Sequence, residues 1–208
     1  MLTVLGYERS SNVQKVMWCA AELGVPCRME PTGGPYGGHK DAPYLALNPN
    51  GYIPTLKDGD FVLWESNAIL QYLVEKYGNG RLMPEGAAAR AGARRWMDWQ
   101  LATLNVPSGN VMRLTVRTPP EQQDAAAIKA AGDRLNDLWG RFEASFGEGP
   151  FVAGAFSVGD IPVGVHAHRY YRYPIARPDY PKLRAWYERL TARAAYADHV
   201  MAAPMPGE

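Results

Sequence analysis

Apolar residues recur with two different periods along the chain. Over residues 1–77, short β-branched runs alternate with stretches of helical period. Leu2–Leu5 has the length and composition of a strand. From Asn12 to Leu23, the residues Val13, Val16, Met17, Ala20 and Leu23 share one helical face, and Gly24 stops the helix. Val25–Glu30 predicts a second strand and Pro31–Lys40 a Gly/Pro-rich loop. Tyr52–Leu56 predicts a strand interrupted by Pro54. Lys57-Asp58-Gly59-Asp60 has hairpin-turn chemistry, with Phe61–Trp64 as the returning strand. Glu65–Tyr77 is helical, with Ile69, Leu70 and Leu73 inward, and Gly78-Asn79-Gly80 ends it. The order β-α-β-loop-β-β-α joins a parallel β-α-β unit to an antiparallel hairpin and a helix, giving one sheet with helices packed on it.

Residues 88–208 read almost wholly as helix. Ala87–Met112 carries Trp96, Trp99 and Leu104 at helical spacing, with a kink expected at Pro107. Pro119-Pro120-Glu121 is expected to open the next helix, because proline suits a first turn. Leu135, Leu138, Trp139, Phe142 and Phe146 form its apolar stripe, and Gly147-Glu148-Gly149-Pro150 ends it. Further helices are expected from Asp160 and from Tyr180 to about Ala194, and the tail AAPMPGE is expected to fray. The change of pattern predicts two domains, residues 1–78 and 88–208, joined by a linker at 79–87. There is no internal repeat and no low-complexity block.

Composition narrows the partners. The 208 residues carry 22 basic and 21 acidic side chains, a net charge of +1, so neither a nucleic-acid footprint nor a polybasic membrane anchor is expected. No apolar run approaches the roughly 20 residues of a membrane span, and the first residues lack the pattern of a secretory leader. The two cysteines, Cys19 and Cys27, are too few to staple a fold of this size and form no CxxC. A cytoplasmic protein of a reducing compartment is expected.

Four stretches then point to one family: strand–Arg9-Ser10-Ser11-Asn12–helix; Asn48-Pro49-Asn50-Gly51-Tyr52-Ile53-Pro54-Thr55-Leu56; Leu63-Trp64-Glu65-Ser66-Asn67-Ala68-Ile69; and Ser157-Val158-Gly159-Asp160 near the start of a late helix. Each alone is weak. In this order and at these separations they resemble the cytosolic glutathione transferases, and the resemblance covers nearly the whole chain. It implies an α/β thioredoxin-like N-terminal domain (β-α-β-β-β-α) followed by an all-α helical bundle. It also implies glutathione as cosubstrate, a small electrophile as second substrate and a homodimer. Trp96, Trp99 and the Arg90–Arg95 face are its candidate interface. The expected activity is conjugation of glutathione, held as thiolate, to the electrophile. Two alternatives stand beside it: a glutathione-dependent disulfide reductase or peroxidase, suggested by the nu-like start with Asn12, and a non-enzymatic binding protein that kept the fold. A zeta-like isomerase is weaker, because the RSS start lacks that class's cysteine.

The resemblance assigns residues to the parts of the tripeptide. The bond before Pro54 is expected to be cis, leaving the Ile53 backbone to pair with the cysteinyl unit like an added strand. Ser66, with the first N–H groups of its helix, suits the γ-glutamyl carboxylate, and Glu65 suits the γ-glutamyl ammonium. Both residues would also cap the helix. His39, placed as in the theta class, and Lys40 are the candidates for the glycyl carboxylate. The run from Gly33 to Lys40 echoes a phosphate loop but lacks the Ser/Thr after its lysine and opens no long helix, so no nucleotide site is expected.

Thiol activation falls to the turn into the first helix. A free thiol with a pKa of ~8.5 needs ~2–3 kcal/mol of thiolate stabilisation to ionise at neutral pH. One charge-assisted hydrogen bond contributes ~1.5–3 kcal/mol and a helix N-terminus ~0.3–1 kcal/mol. The candidates are Ser10, aligned with the theta and phi serine, then Asn12, aligned with the nu asparagine, then Ser11. One of the three is expected to serve as N-cap. Tyr7 is a fourth candidate, but a tyrosine of other classes aligns with Gly6, one position away, which in a strand would turn the side chain to the other face.

Other features read as structural. Ser157-x-x-Asp160 is a capping box with aspartate in place of the usual Glu/Gln. His166 and His168 do not face each other on a helix, so no metal is expected. Tyr170, Tyr171 and Tyr173 read as core or interface aromatics, with one of them lining the electrophile pocket as the alternative. Arg113 and Arg117 read as a solvated face, the alternative being that they face the cleft and attract an anionic cosubstrate. Cys19 reads as a small buried apolar residue.

Overall fold

The computed structural model describes residues 1–204. Strands β1 (Leu2–Gly6), β2 (Cys27–Pro31), β3 (Thr55–Asp58) and β4 (Phe61–Trp64) form one sheet in the order β2-β1-β3-β4. β1 runs parallel to β2 and antiparallel to β3, and β4 closes the hairpin. Helices α1 (Ser11–Glu22), α2 (Ala42–Leu45) and α3 (Ser66–Tyr77) complete this part. β3 starts later than expected, because Pro54 has no N–H to give a ladder. β2 likewise begins at Cys27, after Pro26. In the Gly/Pro loop the structure adds one 3₁₀ turn, Gly34–Tyr36, and the four-residue α2.

The remainder is helical: α4 (Ala87–Trp99), α5 (Asn105–Met112), α6 (Ala125–Ser145), α7 (Asp160–Arg172), α8 (Pro181–Thr191) and the short α9 (Ala194–Tyr196). α4 and α5 are continuous through a π-spaced turn, Gln100–Leu104, just before Pro107. Pro107 leaves a carbonyl one turn upstream without its α-helical donor, and the wider turn absorbs the defect where a kink was expected. A second π-spaced turn, Arg113–Arg117, ends this helix. The expected start of α6 at Pro119-Pro120 is corrected. Those prolines lead only a 3₁₀ turn, Pro120–Gln122, and Asp124 is the cap, accepting from the N–H groups of Ala126 (2.8 Å) and Ala127 (3.1 Å). Of the tail read as frayed, residues 205–208 lie outside the described residues. Ala203 is buried, so fraying does not begin at residue 202.

α1 lies between the sheet with α3 on one side and α7 on the other. It is therefore buried on more than the single expected face: Gln14, Lys15, Trp18 and Cys19 are enclosed as well as Val13, Val16 and Ala20. Core packing is continuous from Val4, Leu56 and Leu70 through Trp18 to Trp139, Phe142 and Trp186. The Asp160 carboxylate ties the helices together. It accepts from the Ser157 N–H (2.9 Å) and hydroxyl (3.2 Å), the Val152 N–H (3.0 Å) and the Trp186 indole (2.9 Å). Burial pushes its carboxyl up to about 6, against the pull of those donors. Among the described residues, no helix is long and apolar enough to cross a membrane.

Candidate active site

A cleft of about 380 Å³ opens between the C-terminal end of β1, the Gly-rich loop and the α5–α7 side of the bundle. Ser10, Ser11, His39, Tyr52 and Ile53 line it together with Tyr7, Met112, Arg117 and Arg169. The Ile53–Pro54 bond is cis, and Pro54 is buried behind Ile53. Gly34 closes the loop against Tyr7. Its φ is +53°, and a Cβ there would stand 2.6 Å from the Tyr7 ring, so both conformation and space require glycine.

Ser10 stands at the N-cap of α1, yet its side chain makes no cap bond to the helix backbone. Its hydroxyl is left to the cleft, beside the orphan N–H groups of the first turn. Asn12 sits behind the wall. Its Oδ1 accepts from the Ser66 hydroxyl (3.3 Å) and from the Lys15 ammonium (3.0 Å). An ammonium only donates, so the amide oxygen must face Lys15 and the NH₂ must face away.

Lys15 is fully buried and donates also to Gln100 Oε1 at 2.7 Å. Burial first, and then the charge of Arg169, lowers its pKa to about 7, with Glu65 pulling the other way. The donor sense propagates from there. Gln100 Oε1 is taken by Lys15, so Gln100 Nε2 donates to His166 Nε2 at 3.0 Å. His166 then carries its proton on Nδ1 and donates to Ser108 Oγ at 3.1 Å, which in turn meets the Tyr173 hydroxyl at 3.2 Å. Burial holds His166 well below its ordinary pKa, which agrees with a neutral ring in this chain. His168 instead pairs through Nδ1 with the Tyr187 hydroxyl at 2.9 Å. Among the described residues, no group of three or more His, Cys, Asp or Glu side chains could hold a metal.

Ser66 opens the 12-residue α3, and Glu65 precedes it at φ +70°, a left-handed conformation that ordinary side chains rarely adopt. Such strain is worth ~1–3 kcal/mol and marks a position held for a purpose. Glu65 and Ser66 lie beyond the lining of the cleft itself, joined to it through Asn12. His39 lines the cleft, with Nδ1 buried and unpartnered. Lys40 lies just outside, its ammonium 4.6 Å over the Tyr52 ring.

Sequence reasoning passed over Tyr52, Met112, Lys15, Gln100 and Arg169. Strand periodicity does not reach Tyr7, because β1 ends at Gly6, and Tyr7 lines the cleft. The expected solvated face is corrected for Arg117, which lines the cleft; Arg113 is exposed and does not. Tyr170 and Tyr173 are buried, as core aromatics should be. Burial raises the thiols of Cys19 and Cys27, the latter to about 11, so neither is a ready nucleophile.

Known proteins resemble this chain over nearly its whole length. Residues 4–81 match the family description "Glutathione S-transferase, N-terminal domain", and residues 121–189 match the corresponding C-terminal domain. Glutathione S-transferase GstB of Escherichia coli is 38% identical over 204 residues, covering 97% of this chain and 98% of that one. Glutathione S-transferase 3 of Zea mays is 29% identical over 215 residues, covering 99% and 96%. The crystal structure of a theta class glutathione S-transferase from Xanthomonas axonopodis pv. citri, with glutathione bound, superposes with a TM-score of 0.92. It is 43% identical and covers 97% of this chain and 98% of that one. With both domain types matched and a relative of this identity spanning nearly its full length, the chain belongs to the glutathione S-transferase family.

Proposed function

We propose that this protein binds glutathione in the cleft, holds it as thiolate and transfers it to a small electrophile. The observation that carries this reading is Ser10. An uncapped hydroxyl at a helix N-terminus shares one cleft with the Ile53 edge and with His39. In this reading Ser10 donates to the sulfur, with Ser11 and Asn12 as its neighbours. Ile53, set by Pro54, pairs with the cysteinyl backbone. Ser66 and the α3 N-terminus receive the γ-glutamyl carboxylate, Glu65 the ammonium, and His39 with Lys40 the glycyl carboxylate. No metal takes part. Residues 1–78 would form the glutathione-binding domain, and 88–208, beyond a linker at 79–87, would complete the electrophile side. A cytoplasmic homodimer with a role in detoxification is the matching proposal at the level of the cell. The exposed arginines of α4 are its candidate contact, since Trp96 is taken up by the core. The test is thiolate absorbance of bound glutathione against pH, in wild type and Ser10→Ala. A bound thiol pKa well below that of free glutathione, raised by the substitution, is the expected result. No retention on immobilised glutathione and no thiol-dependent turnover would refute the proposal.

A further inference from the structure

The Arg169 guanidinium lines the cleft while being only 6% exposed. Its nitrogens donate to the Arg9 carbonyl at 2.7 Å and to Met112 Sδ at 3.3 Å, and its Nε is buried without a partner. It makes no ion pair among the described residues, and the neighbours that favour its charge are the hydroxyls of Tyr173 and Tyr7. A buried cation without a carboxylate is costly to keep unless something supplies the missing anion. Arg117 adds a second, exposed cation at the rim, close enough for its charge to act on Arg169. This end of the cleft therefore carries an excess of positive charge in a setting of low dielectric.

On the reading proposed above, the two carboxylates of glutathione do not consume that excess, because they have receptors elsewhere, at Ser66 and at His39 with Lys40, and its thiolate at Ser10 offsets only one of the positive charges. We infer that the Met112–Arg117–Arg169 end of the cleft selects electrophiles that themselves carry a carboxylate. Arg117 takes that carboxylate at the rim, in the two-pronged manner of a guanidinium, and buried Arg169 supplies the charge that balances it. Arg169 also holds the carbonyl next to Ser10, which places the anion receptor one residue from the thiolate donor. The reaction is a displacement. The glutathione sulfur, already ionised, attacks the carbon bearing the leaving group. A C–S bond forms, the carbon–halogen bond breaks, and the halide departs with the bonding pair.

The test compares iodoacetate with iodoacetamide, which share the reacting carbon and the leaving group and differ in charge. For each, kcat/KM at saturating glutathione is divided by the uncatalysed rate constant, and the acetate-to-acetamide ratio of the two quotients is the readout. Wild type is expected to favour iodoacetate at least tenfold. Arg117→Gln should cut the ratio tenfold or more, Arg117→Lys should restore part of it, and Arg113→Gln should leave it in place. A wild-type ratio near one, or a ratio that survives Arg117→Gln, overturns the inference. So does Arg169→Gln, if it slows both reagents equally while raising the bound thiol pKa; its charge would then serve the thiolate and not the second substrate. Failure of glutathione to bind overturns this inference together with the reading it rests on. Turnover of both reagents with an unmoved ratio overturns this inference alone.

Discussion

Lys15 donates to the side-chain oxygen of Asn12 at 3.0 Å, from a position with no exposure to solvent. The same oxygen accepts from Ser66. One buried cation thus sets the orientation of an amide that lies between the proposed thiol donor and the proposed γ-glutamyl receptor. Lys15 also reaches Gln100 on the bundle side, so the α1 turn and the π-spaced turn before α5 are held by a single ammonium.

Replacing Lys15 by methionine removes both donors and the charge. The bound glutathione thiol pKa should rise by about one unit, the equivalent of ~1.4 kcal/mol. Thiolate absorbance in the variant checks this; an unchanged titration would show that Lys15 acts on the fold alone.

The same residue predicts a pH dependence of stability. Folding lowers the Lys15 pKa to about 7, whereas the unfolded chain keeps its proton to about 10.4. Between these values the unfolded state binds more protons, so the Lys15 contribution rises with pH, by up to about 1.4 kcal/mol per unit, and is lost as pH falls through 7. Urea unfolding at pH 6.5 and pH 9 should therefore show wild type gaining on Lys15→Met at the higher pH.

Ser10→Ala should raise the bound thiol pKa by about 1–2 units, the loss of one charge-assisted hydrogen bond worth ~1.5–3 kcal/mol. Thermal stability should change little, because the side chain makes no cap bond. Asn12→Ala should have a smaller effect on the thiol and a measurable effect on stability, since its oxygen serves two donors.

Ser66→Ala should weaken glutathione binding roughly tenfold, about 1.4 kcal/mol, with little change in the thiol pKa. Calorimetric titration separates the two quantities. A loss of thiol ionisation at unchanged affinity would place Ser66 at the sulfur instead.

Asp160→Asn should destabilise the fold without touching the cleft. An amide puts NH₂ against donors that now meet a carboxylate oxygen, at a cost of about 2–3 kcal/mol. For a chain of this length that lowers Tm by roughly 4–12 °C. Differential scanning calorimetry measures it, and activity per folded molecule should be retained.

Much of the proposed glutathione side is legible in the sequence because its signals are local. The turn before α1, the Ile53-Pro54 pair and the Glu65-Ser66 junction each combine neighbouring residues with a fixed conformational consequence. Asp124 was missed although its signal is equally local, since the two prolines upstream looked like the stronger start. Tyr7 lies one residue past the end of β1, so strand alternation says nothing of where its side chain points.

The amino-acid sequence by itself determined the order of elements, the break between a mixed half and a helical half, and several of the residues that line the cleft edge. Hydrophobic period, turn residues and caps act over a few positions. Tertiary structure alone decided the floor of the cleft. Lys15 meets Gln100 across 85 positions, and Arg169 meets the Arg9 carbonyl across 160. A lysine in an apolar helix, or an arginine among tyrosines, has no local signature of its role. Its meaning comes from what desolvates it and which partners it lacks, and only the packing of α1 against α7 determines both.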